Sequence, residues 1–159
     1  MIAFYVSLLA LGAAISAAQP VAVAPAADAP IDLSADGACE VIDNGAIVRC
    51  SGGVRIVQGA AILASDRMTV YGIDPDGGFD RIEAVGDVRY SNGENAISGA
   101  RGTYSALSTE LTVTGDVVVI QGDQVLTGGE LVYNTETGAS RFSPPPGGRV
   151  RGLFYRRPG

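Results

Sequence analysis

Apolar and polar residues alternate along most of this chain with a period of two. Val48, Cys50, Val54 and Ile56 share one parity, with Arg49 and Arg55 between them. Ile82, Ala84, Val88 and Tyr90 repeat the arrangement around Glu83 and Arg89, and Leu111, Val113, Val117 and Val119 repeat it around Thr112. Such alternation predicts half-buried antiparallel strands with one apolar face. Past the first twenty residues no long segment carries a helical apolar stripe.

The alternating stretches are copies of one another. Gly115-Asp116-Val117-Val118-Val119-Ile120-Gln121-Gly122 matches Gly86-Asp87-Val88-Arg89-Tyr90-Ser91-Asn92-Gly93, which begins 29 residues earlier. That in turn matches Gly52-Gly53-Val54-Arg55-Ile56-Val57-Gln58-Gly59, 34 residues before it. Leu63, Ile97 and Leu126 keep the same spacings, as do Ser65, Gly99 and Gly128, and Val70, Tyr104 and Tyr133. Leu33-Ser34-Ala35-Asp36 is a degenerate earlier copy of Leu63-Ala64-Ser65-Asp66. Repetition at this period marks about four stacked two-strand units, none able to bury its apolar face alone. The glycines inside the strands predict bends or bulges where a strand turns a corner. Turns are expected at Asp43-Asn44-Gly45-Ala46, at Asp74-Pro75-Asp76-Gly77-Gly78-Phe79, at Leu107-Ser108-Thr109 and at Glu136-Thr137-Gly138, each at a similar place in its unit.

The ends read differently. Residues 1–18 are apolar and small-ended, which predicts a secretory signal cleaved after Ala18. No Lys or Arg precedes the apolar run, so an uncleaved anchor stays open as the alternative. Residues 19–30 form an Ala/Pro linker with Pro20, Pro25 and Pro30. The β domain is expected over residues 31–155, with a basic tail at 156–159. Ser143-Pro144-Pro145-Pro146-Gly147-Gly148 breaks any ladder, and Arg149–Phe154 is expected as one last strand.

Composition removes several function classes. The chain of 159 residues has a net charge of −6, no Lys and no His. It is a poor candidate for nucleic-acid binding, which needs clustered positive charge. Without His it lacks the commonest general base and the commonest metal ligand. No Gly-x-Ser-x-Gly elbow is present, so no catalytic residue is assigned and no enzyme activity is expected. No cofactor or metal is expected either. Asp74-Pro75-Asp76-Gly77 reads as a turn rather than a calcium loop, because Glu83 is not at the closing position.

Cys39 and Cys50 follow from the Asn44-Gly45 turn. A hairpin closed there sets Ile42 opposite Ile47, Val41 opposite Val48, Glu40 opposite Arg49 and Cys39 opposite Cys50. Directly opposed strand residues lie within disulfide range, and an exported chain meets an oxidising compartment. Two reduced core thiols are the alternative.

These features together resemble the OstA-like family of lipopolysaccharide-transport proteins (the LptA type). The resemblance rests on the Gly-Asp-Val strands, on Ala64-Ser65-Asp66-Arg67-Met68, on Leu126-Thr127-Gly128-Gly129-Glu130-Leu131-Val132-Tyr133 and on Gly148–Phe154. It covers about residues 31–155. It implies an all-β fold, a repeat-built antiparallel open twisted β-jellyroll. It implies a periplasmic bridge carrying lipopolysaccharide from the inner to the outer membrane. The partners it implies are an LptC-like inner-membrane component and an LptD-like outer-membrane component of the same fold.

On this basis Val54, Ile56, Ile82, Val88, Tyr90, Leu111, Val117 and Val119 are the candidates to line an apolar interior for lipid A acyl chains. Ile31 and Leu33 at one end, and Val150, Leu153 and Phe154 at the other, are candidate edge strands for partners or a head-to-tail homo-oligomer. Arg55, Arg89 and Arg101 have two readings, contacts to lipid phosphates or ordinary solvated strand faces. A strand-pairing module without lipid carriage, and an LptC-like membrane-anchored component, are the rival readings of the whole.

Overall fold

A computed structural model describes residues 29–156. The expected signal at 1–18, nearly all of the linker, and the tail beyond Arg156 lie outside the described residues. The body is one antiparallel sheet of ten strands. In chain order they are β1 (Ile31–Ser34), β2 (Cys39–Ile42), β3 (Ile47–Gln58), β4 (Ala61–Tyr71), β5 (Arg81–Ser91), β6 (Asn95–Ser105), β7 (Glu110–Gln121), β8 (Gln124–Asn134), β9 (Ser140–Ser143) and β10 (Arg151–Leu153). The six long strands β3 to β8 form a plain meander, each paired with the next. The repeats are thus three hairpins, β3–β4, β5–β6 and β7–β8, rather than about four units: the degenerate copy at Leu33–Asp36 contributes only the short β1.

Every neighbouring pair of long strands breaks register at mid-length. The shifts fall at Ser51/Val54, Ala64/Arg67, Val85/Val88, Ser98/Arg101 and Thr114/Val117. The Gly-Asp dipeptides of β5 and β7 cause four of them, because each of these strands is paired on both sides, and Gly52-Gly53 of β3 causes the other. Gly86 and Asp87 have φ of 84° and 44°, and Gly115 and Asp116 have 82° and 48°. Two successive left-handed residues turn a strand sharply, and glycine bears the first at little cost. At Gly115 a Cβ would also stand 2.6 Å from that of Ala100 on β6.

Aligned bulges bend the whole sheet along one line. One layer holds β1, the stretches 54–58, 61–64, 88–91, 95–98, 117–121 and 124–128, and β10. The other holds β2, the stretches 47–51, 67–71, 81–85, 101–105, 110–114 and 130–134, and β9. The layers face each other. The rings of Tyr90 on β5 and Tyr133 on β8 have centroids 5.8 Å apart. In a flat sheet three strand spacings, roughly 14 Å, would separate those strands.

The core sits between the layers. It contains Val54, Ile56, Leu63, Val88, Tyr90, Ile97, Val117 and Val119 from the first layer. Cys50, Met68, Val70, Ile82, Ala84, Leu111, Val113, Leu131 and Tyr133 come from the second. The one buried polar side chain among the described residues is Ser65, whose hydroxyl donates to the Arg67 carbonyl at 2.7 Å and ties β4 where the bulges of β3 and β5 face it.

The ends of the sheet depart from the sequence reading. Each end is made of two short strands, one on each layer. β1 and β2 both pair with β3, and β9 and β10 both pair with β8. β9 was not anticipated; its Phe142 packs against the core opposite Leu131. The last strand is shorter than expected: Val150 and Phe154 flank β10 rather than belong to it. Gly147 and Gly148 close the turn that follows the prolines, with the Gly148 amide donating to the Pro145 carbonyl at 2.9 Å, and the chain regains the ladder only at Arg151.

Candidate apolar interior and sheet edges

All eight residues singled out for the interior are buried and point between the layers: Val54, Ile56, Ile82, Val88, Tyr90, Leu111, Val117 and Val119. Their parity was readable because each bulge preserves the inward face on both of its sides. Away from the bend the layers part into a cleft lined by Ile31, Ile56, Leu63 and Tyr90 on one side and by Ile82, Tyr104 and Leu111 on the other. It is lined mainly by apolar groups, and its volume is about 80 Å³.

A polar tie spans the layers beside this cleft. The side-chain amides of Asn92, in the β5–β6 turn, and Asn95, the first residue of β6, donate to the Tyr133 hydroxyl at 3.0 and 3.4 Å. Burial, and then the nearby Tyr133 and Tyr104 hydroxyls, push the Tyr90 phenol up to about 12. Sequence reasoning missed Asn92 and Asn95; the signal was their place beside Gly93 in a turn at the same end of the units as Gly59 and Gly122.

The sheet edges carry exposed apolar side chains. Ile31 and Leu33 on β1 are 41% and 37% exposed, and Val41 on β2 is 69% exposed. At the far end Val150, Leu153, Phe154 and Tyr155 are all exposed. Backbone donors and acceptors on the outer side of such strands have no partner within the sheet.

Cys39 and Cys50 form the disulfide that the hairpin register predicts, with their Cα atoms 4.1 Å apart. Asp43, Asn44 and Gly45 take left-handed φ of 53°, 53° and 99°, and the Ala46 amide donates to the Asp43 carbonyl, closing the turn that sets this register. Asp74 is a turn residue: its carboxylate accepts from the amides of Asp76 and Gly78 at 3.0 and 2.8 Å. The three arginines noted for phosphate do not share one site: Arg55 and Arg89 flank Ala64 in one row and line one groove, and Arg101 is apart from them. Arg55 and Arg89 lie on the outside of the first layer, where Arg89 pairs with Asp87 at 2.7 Å, and Arg101 lies on the outside of the second.

Comparison with known proteins agrees with this architecture. The family described as "LptA/(LptD N-terminal domain) LPS transport protein" matches residues 33–139, more than half of the chain. No curated protein matches the sequence. Among solved structures, the chain is similar to LptH of Pseudomonas aeruginosa, the LptA homologous periplasmic component of that organism's lipopolysaccharide transport device. The TM-score is 0.70 at 20% identity, over 80% of this chain and 96% of LptH. The bent, bulged, open-ended roll and the family match lead to one conclusion: this chain belongs to the LptA/LptD-N-terminal-domain family of lipopolysaccharide-transport proteins.

Proposed function

We propose that this protein is a periplasmic bridge that carries lipopolysaccharide from the inner to the outer membrane by shielding its acyl chains between the two layers. The observation that carries this reading is the unbroken apolar inner face, which runs from β3 to β8 and meets exposed apolar groups at both sheet ends. Each methylene taken out of water gains about 0.8 kcal/mol, so one chain of a dozen methylenes gains on the order of 10 kcal/mol. Edge strands that pair with an LptC-like protein, an LptD-like protein or another copy of this chain extend that face from one protomer to the next. The two ends are unlike, so their pairing is heterologous and does not have to close.

The volume of the cleft sets a condition on this function. About 80 Å³ is roughly half of an engineered cavity of about 150 Å³ that holds one benzene ring. Acyl chains enter only when the layers open wider at the cleft, hinging about the line of bulges. The same tight packing favours a second reading, in which the roll pairs strands with its partners and carries no lipid. A photo-crosslinking residue placed at Ile56 or Tyr90, with Ile120 on the outer face as control, separates the two in the native envelope. Lipopolysaccharide adducts at the inner positions alone support carriage; protein adducts without lipid at any position support the module.

A further inference from the structure

We propose that Arg49, Arg67 and Arg101 build a phosphate-binding groove on the outer face of the second layer, on the far side of that layer from the acyl-chain interior. The sheet register puts them together. Arg67 on β4 pairs with Val85 on β5, and Val85 pairs with Arg101 on β6. The two arginines therefore flank Val85 in one cross-strand row, roughly 10 Å apart at their Cα atoms. Arg49 stands two residues from Ser51, the partner of Arg67 on β3, and so lies diagonal to Arg67 on the same face. All three line one groove of about 430 Å³, together with Ser51, Thr69, Val85, Glu40 and Glu83.

The charges in this groove are not matched internally. The ion pairs among the described residues are Arg81–Glu83 and Arg89–Asp87, and neither includes Arg49, Arg67 or Arg101. Glu83 is committed elsewhere: it pairs with Arg81 at 3.2 Å and accepts from the Tyr71 hydroxyl at 3.1 Å. Glu40 faces Arg49 across the β2–β3 ladder without forming an ion pair. In a chain of net charge −6, three guanidiniums gathered around one groove are a local reversal of sign. The backbone that carries them is fixed. Arg49 and Arg67 are in the middle of ladders next to the Cys39–Cys50 bridge, and the Ser65 hydroxyl holds the Arg67 carbonyl at the bulge.

Guanidinium forks fit phosphate oxygens in pairs, and a phosphate monoester carries about −1.5 to −2 charges at neutral pH. The ligand chemistry is therefore a phosphate group, from a phosphorylated lipid headgroup or from free phosphate. The groove lies outside the layer whose inner face lines the cleft, so a lipid held between the layers does not present its own head to it. This inference does not depend on lipid carriage.

The test is binding of pyrophosphate by calorimetry and of vesicles by co-sedimentation, using the exported full-length protein. The vesicles are phosphatidylcholine with and without one-fifth phosphatidic acid. R49Q, R67Q and R101Q should each weaken pyrophosphate binding at least fivefold, the triple variant should abolish it, and R55Q on the other layer should stay within twofold of wild type. Circular dichroism of the variants reports folding. Pyrophosphate binding without sedimentation identifies soluble phosphate as the source; sedimentation that needs both phosphatidic acid and the three arginines identifies a headgroup. If neither probe binds, or if R55Q weakens binding as much as R101Q, the proposal is overturned.

Discussion

Asn92 donates its side-chain amide to the Tyr133 hydroxyl at 3.0 Å, across 41 residues of chain and from one layer of the roll to the other. With Asn95 it forms two side-chain hydrogen bonds that tie the layers at their open side. Tyr133→Phe removes the shared acceptor and leaves the tilted ring contact with Tyr90 in place. We expect a loss of about 1–2 kcal/mol in urea unfolding. A double-mutant cycle with Asn92→Ala should give a coupling near 1 kcal/mol; additive losses would mean that the two side chains act independently.

Burial of Tyr90 gives the roll an alkaline limit. The unfolded chain releases this proton near pH 10, whereas the folded chain keeps it until about 12. The unfolded state therefore binds fewer protons across that window, and stability falls as pH rises from 10 to 12 while staying flat below 10 as far as this group is concerned. The loss should be about 1–2 kcal/mol once solvent screening at the cleft is allowed for. Comparison of urea midpoints at pH 9 and pH 11.5 checks it, since Tyr90→Phe should abolish this part of the change.

The exported protein should show no free thiol when unfolded without reductant, because Cys39 and Cys50 are bonded. Reduction should cost roughly 2–3 kcal/mol for a loop this short. Thiol labelling under denaturing conditions reads the first outcome directly, and stoichiometric labelling would contradict it.

Val117 and Ile120 share β7 but face opposite ways, one fully buried and one 46% exposed. Asp at Val117 places a carboxylate between the layers and should cost several kcal/mol. Asp at Ile120 should change stability by no more than about 0.5 kcal/mol. Equal effects in thermal unfolding would refute the assignment of inner and outer faces.

A chain ended after Gly148 lacks β10 but keeps all six long strands. It should stay folded by circular dichroism and lose concentration-dependent assembly in sedimentation. Assembly like that of the full chain would place the docking edge elsewhere, at β9 or at the β1–β2 end.

How much of this was legible follows from where the sequence repeats. Residues of the long strands obey one period, so parity, bulges and turn positions could be counted from Gly52, Gly86 and Gly115 alone. The Cys39–Cys50 register followed from one Asn-Gly turn. The carboxyl-terminal edge has no second copy to compare with, so β9 was missed and Val150 and Phe154 were placed in a strand they only flank. The arginines show the same limit. Arg49, Arg67 and Arg101 are brought together by cross-strand neighbours rather than by spacing, and pairing across three strands cannot be counted along one.

The aligned bulges also make the roll a ruler. Each hairpin repeat adds one strand pair to both layers at once, because every long strand contributes half its length to each. Gaining or losing one repeat would lengthen or shorten the inner face by two strand spacings, roughly 10 Å, without changing its cross-section. The reach of such a protein is thus set in whole steps by the number of repeats, and its bore by the residues within one.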